Sequence, residues 1–511
     1  QHAAACNIMN SLAMQLSRRA VLSRCAPKPL CSPFFYGSRG LSGSGSPLDA
    51  VQGSSAKPKP AKKAEIEHAR LPGRHANDGR GGMGKFLFIL GGAAAGTAYA
   101  IENGHTKYQN GVWEAYADLV DNVAMPAVRM FDPETAHNIA VMTTAWGLGP
   151  RDWFGNPPAL NVDFCGLKFA NPLGMSAGFD KHGEAVDGLL ATGFGHVEVG
   201  SVTPLPQEGN PKPRMFRLCE DGGVINRYGF NSQGVAKVEA RLKARRTAAG
   251  AVGVVGVNVG KNKDSASAEE DYCAGIRALG PHADYLVVNV SCPNQAGVAA
   301  LQDKGSLASI VDAALAARNE LPAPRPPLLV KVGPDLDAAG RAAVARTCLA
   351  KGVDGLVVTN TTTARPASLR SPDAGEAGGL SGAPLRAAAT KTVRDLYRLT
   401  RGRLPIVGSG GVGSAEDVLE KIEAGASLVQ IYSSLVYSGP GAIPKMKRDL
   451  LRLMKERGYS SITEAVGAKN PLPKAAAGGK CPVDHGSMTK KNDESGGAAE
   501  KKKRWWLLWL M

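Results

Sequence analysis

The segment Asn289-Val290-Ser291-Cys292-Pro293-Asn294 places two amides, a hydroxyl and a thiol within six residues. It follows the apolar run 285–288, which reads as a buried strand, and the proline ends that run. Amides orient a planar polar ligand, and a thiol can exchange a proton. A thiol before a proline is more often a small buried hydrophobe than a catalyst, so this segment alone leaves both readings open.

The other strand ends bear on the choice. Apolar runs at 172–177, 196–202, 252–259, 285–290, 328–332, 355–359, 405–408 and 428–432 read as strands. Helical spacing fills the gaps, for example at 266–279, 306–319, 338–351 and 414–424, with a last helix at 441–455. This rhythm predicts an α/β fold, a (β/α)8 TIM barrel over 160–468. An open doubly wound sheet is the alternative, but no glycine-rich dinucleotide turn follows the first strand.

Barrel enzymes place their chemistry at the carboxyl ends of the strands. Here those ends carry Ala177, Gly178 and Lys181; Ser201; Asn258; Asn289 and Cys292; Lys331; and Thr359, Asn360 and Thr361. The seventh end is Gly408-Ser409-Gly410-Gly411 and the eighth is Tyr432-Ser433. The glycine-rich turn after the seventh strand, with Tyr432-Ser433 after the eighth, suits a phosphate group, because backbone N–H groups can approach an anion closely where glycine leaves room. Gly379-Leu380-Ser381-Gly382 could form another such turn. A P-loop lysine is missing, which disfavours nucleotide hydrolysis. The strand ends show no His/carboxylate cluster, so no metal is expected.

The remaining groups fit a flavin. Lys331 would lie beside the electron-rich edge of a reduced isoalloxazine, and Asn258 and Asn289 would bond its polar edge. Cys292 would take a proton from carbon while a hydride leaves the neighbouring carbon. A free thiol titrates near ~8.5, so this role asks for some local depression.

The chain has 511 residues and a net charge of +16. Residues 1–85 hold +9 and residues 469–511 hold +5, leaving +2 for the middle. A basic nucleic-acid face is therefore not expected. Nine scattered cysteines without a C-x-x-C pair argue against a disulfide framework or a zinc cluster.

Residues 1–48 contain no acidic residue and read as a transit peptide, or else an ordinary disordered tail. A Gly/Ser/Pro/Lys-rich linker spans 49–85. The uncharged run 86–101 is expected to be a single transmembrane helix, with a buried helix as the alternative. Residues 112–149 read as two amphipathic helices. One has Val112, Trp113, Tyr116, Leu119, Val120 and Val123 on one side and is interrupted at Pro126. The other is capped at Asp132 and has Ile139, Met142 and Trp146 on its apolar side. They would form a membrane-associated cap, or dock on the main domain. A hairpin is expected around Gly166. Residues 469–511 read as a disordered basic tail whose Trp/Leu-rich end could meet an anionic bilayer.

In order, the chain contains Gly178-Phe179-Asp180-Lys181-His182-Gly183, Gly200-Ser201-Val202-Thr203-Pro204 and Asn226-Arg227-Tyr228-Gly229-Phe230-Asn231. The Asn289–Asn294 segment, Thr359-Asn360-Thr361-Thr362, Gly379–Gly382 and Gly410-Gly411-Val412 follow. Together they resemble the dihydroorotate dehydrogenases, in particular the membrane-bound quinone-dependent class, over about residues 112–468. The resemblance implies FMN as cofactor, oxidation of (S)-dihydroorotate to orotate, and transfer of electrons to ubiquinone, within pyrimidine (UMP) biosynthesis. With the uncharged run 86–101 as a single-pass N-terminal anchor in the lipid bilayer, a mitochondrial inner membrane location and a monomer are expected, and the neutral middle of the chain leaves no nucleic-acid partner expected.

Carried over by motif, Lys181, Asn226, Asn231, Asn289, Asn294, Asn360 and Thr361 resemble the orotate-binding set. Arg227, Tyr228, Gly229 and Phe230 fall in the substrate loop. Ala177, Gly178, Ser201, Asn258, Asn289, Lys331, Thr359, Gly382, Gly411, Tyr432 and Ser433 resemble the FMN set. The helices at 112–149 match the cap over the quinone tunnel, with His137 and Arg217 as tunnel-lining polar groups. Cys292 departs from the class, which usually has serine as the base; cysteine resembles the soluble class. A soluble-class oxidation with fumarate as acceptor is therefore the competing enzyme, and a non-enzymatic membrane-tethered scaffold is the competing class. Lys480-Cys481-Pro482 resembles a Cys-Pro heme-regulatory motif, which makes Cys481 a candidate heme ligand.

Overall fold

A computed structural model describes residues 106–472, apart from 296 and 303. The expected transit peptide, linker and membrane span, Cys481 and the basic tail from 473 onward lie outside the described residues.

The chain enters on α1 (Thr106–Leu119), runs through a π-helical turn at Val120–Ala124 and continues as α2 (Met125–Val128). Pro126 does not interrupt the helix as expected. It occupies the first turn of α2, where its missing N–H costs nothing, just after the wider π turn. α3 (Pro133–Ala145) starts as the sequence suggests: Asp132 Oδ1 accepts the N–H groups of Glu134 and Thr135, each at 3.1 Å.

The hairpin β1 (Val162–Phe164) and β2 (Leu167–Phe169) turns at Cys165 and Gly166, both at positive φ. It puts Val162, Phe164 and Phe169 against the base of the barrel core. The barrel strands are β3 (Leu173–Met175), β4 (His196–Val202), β7 (Val254–Val259), β8 (Tyr285–Asn289), β9 (Leu328–Val332), β10 (Gly355–Val358), β12 (Ile406–Ser409) and β13 (Leu428–Ile431). All are parallel, neighbours in space follow the order of the chain, and β13 closes on β3. The eight expected strands are these eight, within two residues at each end.

The helices between them are α4 (Val186–Ala191), α5 (Val235–Thr247), α6 (Ala268–Leu279), α7 (Lys304–Asn319), α8 (Ala338–Lys351), α9 (Arg386–Thr400) and α10 (Ala415–Ala424). α11 (Leu435–Ser438) and α12 (Ala442–Glu456) complete the chain. Side-chain caps at Ser267 and Asp337, and a capping box at Ser414/Asp417, start α6, α8 and α10.

Large and small residues alternate inside the barrel. A Cβ on Gly174 would strike the His196 ring, and one on Gly256 the Tyr285 ring. Burial holds His196 neutral, pushing its pKa down to about 3.

Three strands that the sequence reading missed form a small antiparallel sheet: β5 (Met215–Leu218), β6 (Gly223–Asn226) and β11 (Gly379–Gly382), in the order β11-β6-β5. They arise from the loops after β4 and β10 and make a lid near the strand ends. The cap docks on the last turn of the fold. Arg129 Nη1 donates to the Tyr437 carbonyl at 2.9 Å, and Asp121 accepts from Gly441 N at 3.1 Å and faces Lys445 at 3.4 Å.

The docked face includes Ala117 and Asp121, and within the apolar stripe Trp113, Tyr116 and Val120 are half-buried. Val112, Leu119 and Val123 stay exposed, as do Met142 and Trp146 of α3. Among the described residues no helix is long and apolar enough to cross a membrane.

Candidate active site

A cavity open in part to solvent lies at the carboxyl ends of the barrel strands. It brings together Lys181, Asn226, Asn231, Asn289, Cys292, Asn294, Lys331, Asn360 and Thr361. Ala177, Gly178, Ser201, Thr359, Gly382, Gly411, Tyr432 and Ser433 also line it, as do Tyr228, Gly229 and Phe230 of the lid.

The amides are held in fixed orientations. Asn289 donates to Ser201 Oγ at 2.9 Å and accepts from Ser291 and Asn360 at 3.3 Å. Its own carbonyl takes the Tyr272 hydroxyl at 2.8 Å. Asn294 donates to Asn226 Oδ1 at 3.1 Å and accepts from Gly379 N at 3.1 Å, so it ties β8 to the lid. Asn231 Oδ1, Thr359 Oγ1, Thr361 Oγ1 and Ser434 Oγ are buried without a hydrogen-bond partner among the described residues. Buried polar atoms rarely stay unpaired, so these face a ligand position.

Lys331 is 5% exposed and lies 3.3 Å from Glu198, which is fully buried. Asn258 Nδ2 and Gln430 Nε2 donate to the same carboxylate at 2.8 and 2.5 Å. A buried charge needs such compensation. Sequence reasoning missed Glu198 and Gln430. Gln430 had a signal, as the one polar residue of the apolar strand β13, whereas Glu198 shares β4 with His196 and Ser201. Asn258, expected at the ligand edge, does not line the cavity; it stands behind Ser201 and bridges it to Glu198.

Cys292 is buried against Phe230, Val298 and Leu301. Burial pushes its thiol up to about 11, while the N–H groups of Asn294 and Gln295 and the charge of Lys331 pull the other way. The local depression asked of a thiol base is therefore not built into the protein alone.

Lys181 follows β3, in a loop pinned by buried Asp180. That carboxylate accepts N–H bonds from His182, Glu184 and Ala185 at 3.3, 2.9 and 2.8 Å. Burial lowers the Lys181 pKa to about 8. Its Nζ lies 3.2 Å from His137 Nε2 and 4.3 Å above the Tyr228 ring. Since an ammonium can only donate, Nε2 accepts and Nδ1 carries the hydrogen that points to Tyr432 Oη, 3.3 Å away. His137 stays neutral, its pKa well below the ordinary value through burial and the nearby Lys181 charge.

His137 and Arg217 do not line this cavity. His137 lies behind Lys181 and Tyr432, and Arg217 on β5 donates to the Phe131 carbonyl of the cap. Arg227 also turns away: it pairs with Glu376 at 2.5 Å and stacks on Phe216 at 4.6 Å.

At the far end, Ser381, Gly382, Ser409, Gly410, Gly411, Ser433 and Ser434 converge. A Cβ on Gly411 (φ +71°) would come within 2.3 Å of Arg386 Cα. Glycine is thus required for the turn after β12 to nestle against the start of α9. The stretch Gly379–Gly382, expected as an anion-binding turn, is a strand whose backbone groups serve β6. Its last two residues alone reach the cavity, as Gly382 (φ +87°) turns the chain away.

A family model described as dihydroorotate dehydrogenase matches residues 159–454, the barrel and nearly all of its site. The chain belongs to the dihydroorotate dehydrogenase family. It is 50% identical over 387 residues to the mitochondrial dihydroorotate dehydrogenase (quinone) of Mus musculus, covering 75% of this chain and 95% of that one. It is 53% identical over 346 residues to a dihydroorotate dehydrogenase (quinone) of Azorhizobium caulinodans, covering 67% and 97%. The mitochondrial Arabidopsis thaliana relative of the same name is 42% identical over 450 residues, covering 83% and 95%. The crystal structure of the Eimeria tenella family member in complex with ferulenol superposes with a TM-score of 0.65 at 43% identity, covering 66% and 96%. The matched segment includes every barrel strand of this chain.

Proposed function

We propose that the chain oxidises dihydroorotate to orotate through FMN and passes the electrons to a quinone, as a step of pyrimidine biosynthesis. The observation that carries this reading is that one cavity brings the site's groups together. One end presents a thiol, a lysine and oriented amides; the other is a glycine-rich cradle; a buried Lys–Glu pair lies between.

The residues suit FMN. Gly410, Gly411, Gly382, Ser433 and the unpaired Ser434 hydroxyl would hold its phosphate, and Lys331 and Asn289 the polar edge of its ring. When bound, FMN supplies the acceptor for a hydride from substrate carbon. The protein's part is then to place the substrate and remove a proton. Lys181 meets the substrate's carboxylate, and Asn226, Asn231, Asn294 and Asn360 fix its ring by hydrogen bonds. Cys292, as its thiolate, takes the proton from the carbon beside the one that loses hydride, becoming the thiol. Phe230 and Val298 keep water from the thiol.

The cap supports a quinone as acceptor. Of the eleven large apolar side chains exposed among the described residues, eight lie between Val112 and Leu148. That face would rest in the lipid, and His137 and Arg217 would flank the quinone's path from cap to barrel. The mitochondrial relatives support that organelle as the location, and our reading puts the cap against its inner membrane.

The test is steady-state oxidation of dihydroorotate with a quinone analogue and, separately, fumarate. Reduction of the quinone analogue is expected, with fumarate inert. Turnover with fumarate alone, or no flavin reduction by dihydroorotate, overturns the reading.

A further inference from the structure

One partly buried ion pair joins the cap to the lid and has no part in the chemistry described above. Glu134 lies in the first turn of α3 and Arg214 just ahead of β5. Arg214 Nε donates to Oε2 at 3.1 Å and Nη2 to Oε1 at 2.8 Å, a two-pronged contact. The side chains are 12% and 7% exposed. Arg214 Nη1 donates to the carbonyls of Glu208 and Asn210 at 2.6 and 2.8 Å. The Asn210 amide donates in turn to the carbonyls of Arg227 and Asn294, both at 2.9 Å. One guanidinium therefore fixes the loop that leads into the lid and, through it, the backbone of Asn294 in the cavity wall.

The same guanidinium lies 5.1 Å from the centre of the Tyr228 ring, which Lys181 also approaches at 4.3 Å. Two cations sharing one ring repel unless an anion stands close, and Glu134 is that anion. Three residues along the same helix, His137 meets Lys181 directly. We propose that Glu134 and Arg214 are positioning residues that govern the charge and placement of Lys181, so that cap helix and lid act together on binding of the anionic substrate. This rests on the reading of Lys181 as the partner of the substrate's carboxylate.

The charged and titratable groups around Lys181 come from each neighbouring element. α3 supplies Glu134 and neutral His137, and the segment ahead of β5 supplies Arg214 and Lys212, the latter 3.2 Å from Glu134. The loop after β6 supplies Tyr228, the end of β13 supplies Tyr432 beside His137, and the lysine's own loop supplies Asp180 and His182. Lys331 and Cys292 line the same cavity. Burial lowers the Lys181 pKa most; Arg214 adds to that and Glu134 opposes it. Neutralising the two partners must therefore move the lysine in opposite directions, which loss of packing alone would not do.

The test is orotate affinity as a function of pH, by titration calorimetry on the full-length holoenzyme. The wild type, Glu134→Gln, Arg214→Gln and the double variant are compared. Wild-type affinity should fall as pH rises past about 8, as Lys181 loses its proton. Glu134→Gln should move that bend to lower pH by roughly half a unit or more, and Arg214→Gln to higher pH. The double variant should return close to wild type. Single-variant bends that stay in place or move the same way overturn the proposal. Should Arg214→Gln not fold, Glu134→Gln decides alone, and a bend that stays or rises overturns it. A wild type that neither binds orotate nor oxidises dihydroorotate removes the substrate reading itself, and this inference with it.

Discussion

Cys292 shows how a residue's identity and its surroundings can pull apart. Its place beside Asn289 and Asn294 suits a base, yet burial raises the thiol to about 11. The thiol is therefore protonated at neutral pH, and its thiolate fraction rises about tenfold per pH unit up to that value. Alkylation by iodoacetamide, followed by loss of flavin reduction with dihydroorotate, should accelerate in the same proportion between pH 7 and 10, and orotate should protect. Cys292→Ala should lower the rate of flavin reduction by roughly a hundredfold to ten-thousandfold, the usual contribution of a proton-transfer group. A pH-independent inactivation rate, or activity that survives full alkylation of Cys292, would remove the thiol from the mechanism. Lys181, Asn289, Lys331 and Asn360 were legible in the sequence because each lies at the end of an apolar run, a local signal, whereas Asn226 and Asn231 came only through the family resemblance. Glu198 was less legible, since its role appears only when β4, β7, β9 and β13 bring Lys331, Asn258 and Gln430 around it.

Among the elements, the barrel strands could be read because each is a short apolar run with its own turn signals. The lid sheet could not. β5, β6 and β11 are four residues each, mixed in polarity, and β6 pairs with β11 across more than 150 positions of sequence. Gly379–Gly382 was read as an anion-binding turn because glycine permits both a turn and close strand packing. Helix α3 was legible in its start, and its Met142 and Trp146 face outward as a membrane-associated cap would have them, while His137 on the same helix is buried. Its start can be tested. Asp132 satisfies two of the helix's free N–H groups, so Asp132→Ala should lower stability to denaturant by about 1 kcal/mol. Because α3 carries His137 toward the proposed quinone path, the same change should raise the KM for quinone more than that for dihydroorotate. Equal effects on both would mean that α3 has no selective bearing on the quinone.

For the molecule as a whole, two surfaces have different jobs. The barrel between its helices is closed and nearly neutral in charge, whereas the cap leaves Met130, Phe131, Met142, Trp146 and Leu148 outside any protein contact that would bury them. A contiguous stretch of chain that exposes so much apolar area is expected to meet lipid or a partner. The uncharged run 86–101 lies a few residues ahead of α1 in the sequence, which favours lipid. If this face seats the barrel on the bilayer, its integrity matters for reaching a quinone dissolved in lipid and not for the chemistry in the cavity. The double change Met142→Asp and Trp146→Asp removes two large side chains, each worth roughly 1.5–3 kcal/mol when fully buried, and adds charge. Turnover with a short-tailed, water-soluble quinone analogue should stay within about twofold of wild type. Turnover with a long-tailed quinone held in phospholipid vesicles should fall at least about tenfold, as partial burial of one such side chain already corresponds to that ratio. Parallel losses with both acceptors would instead mean that the cap serves the fold or the inner quinone path, and that the protein meets the membrane elsewhere.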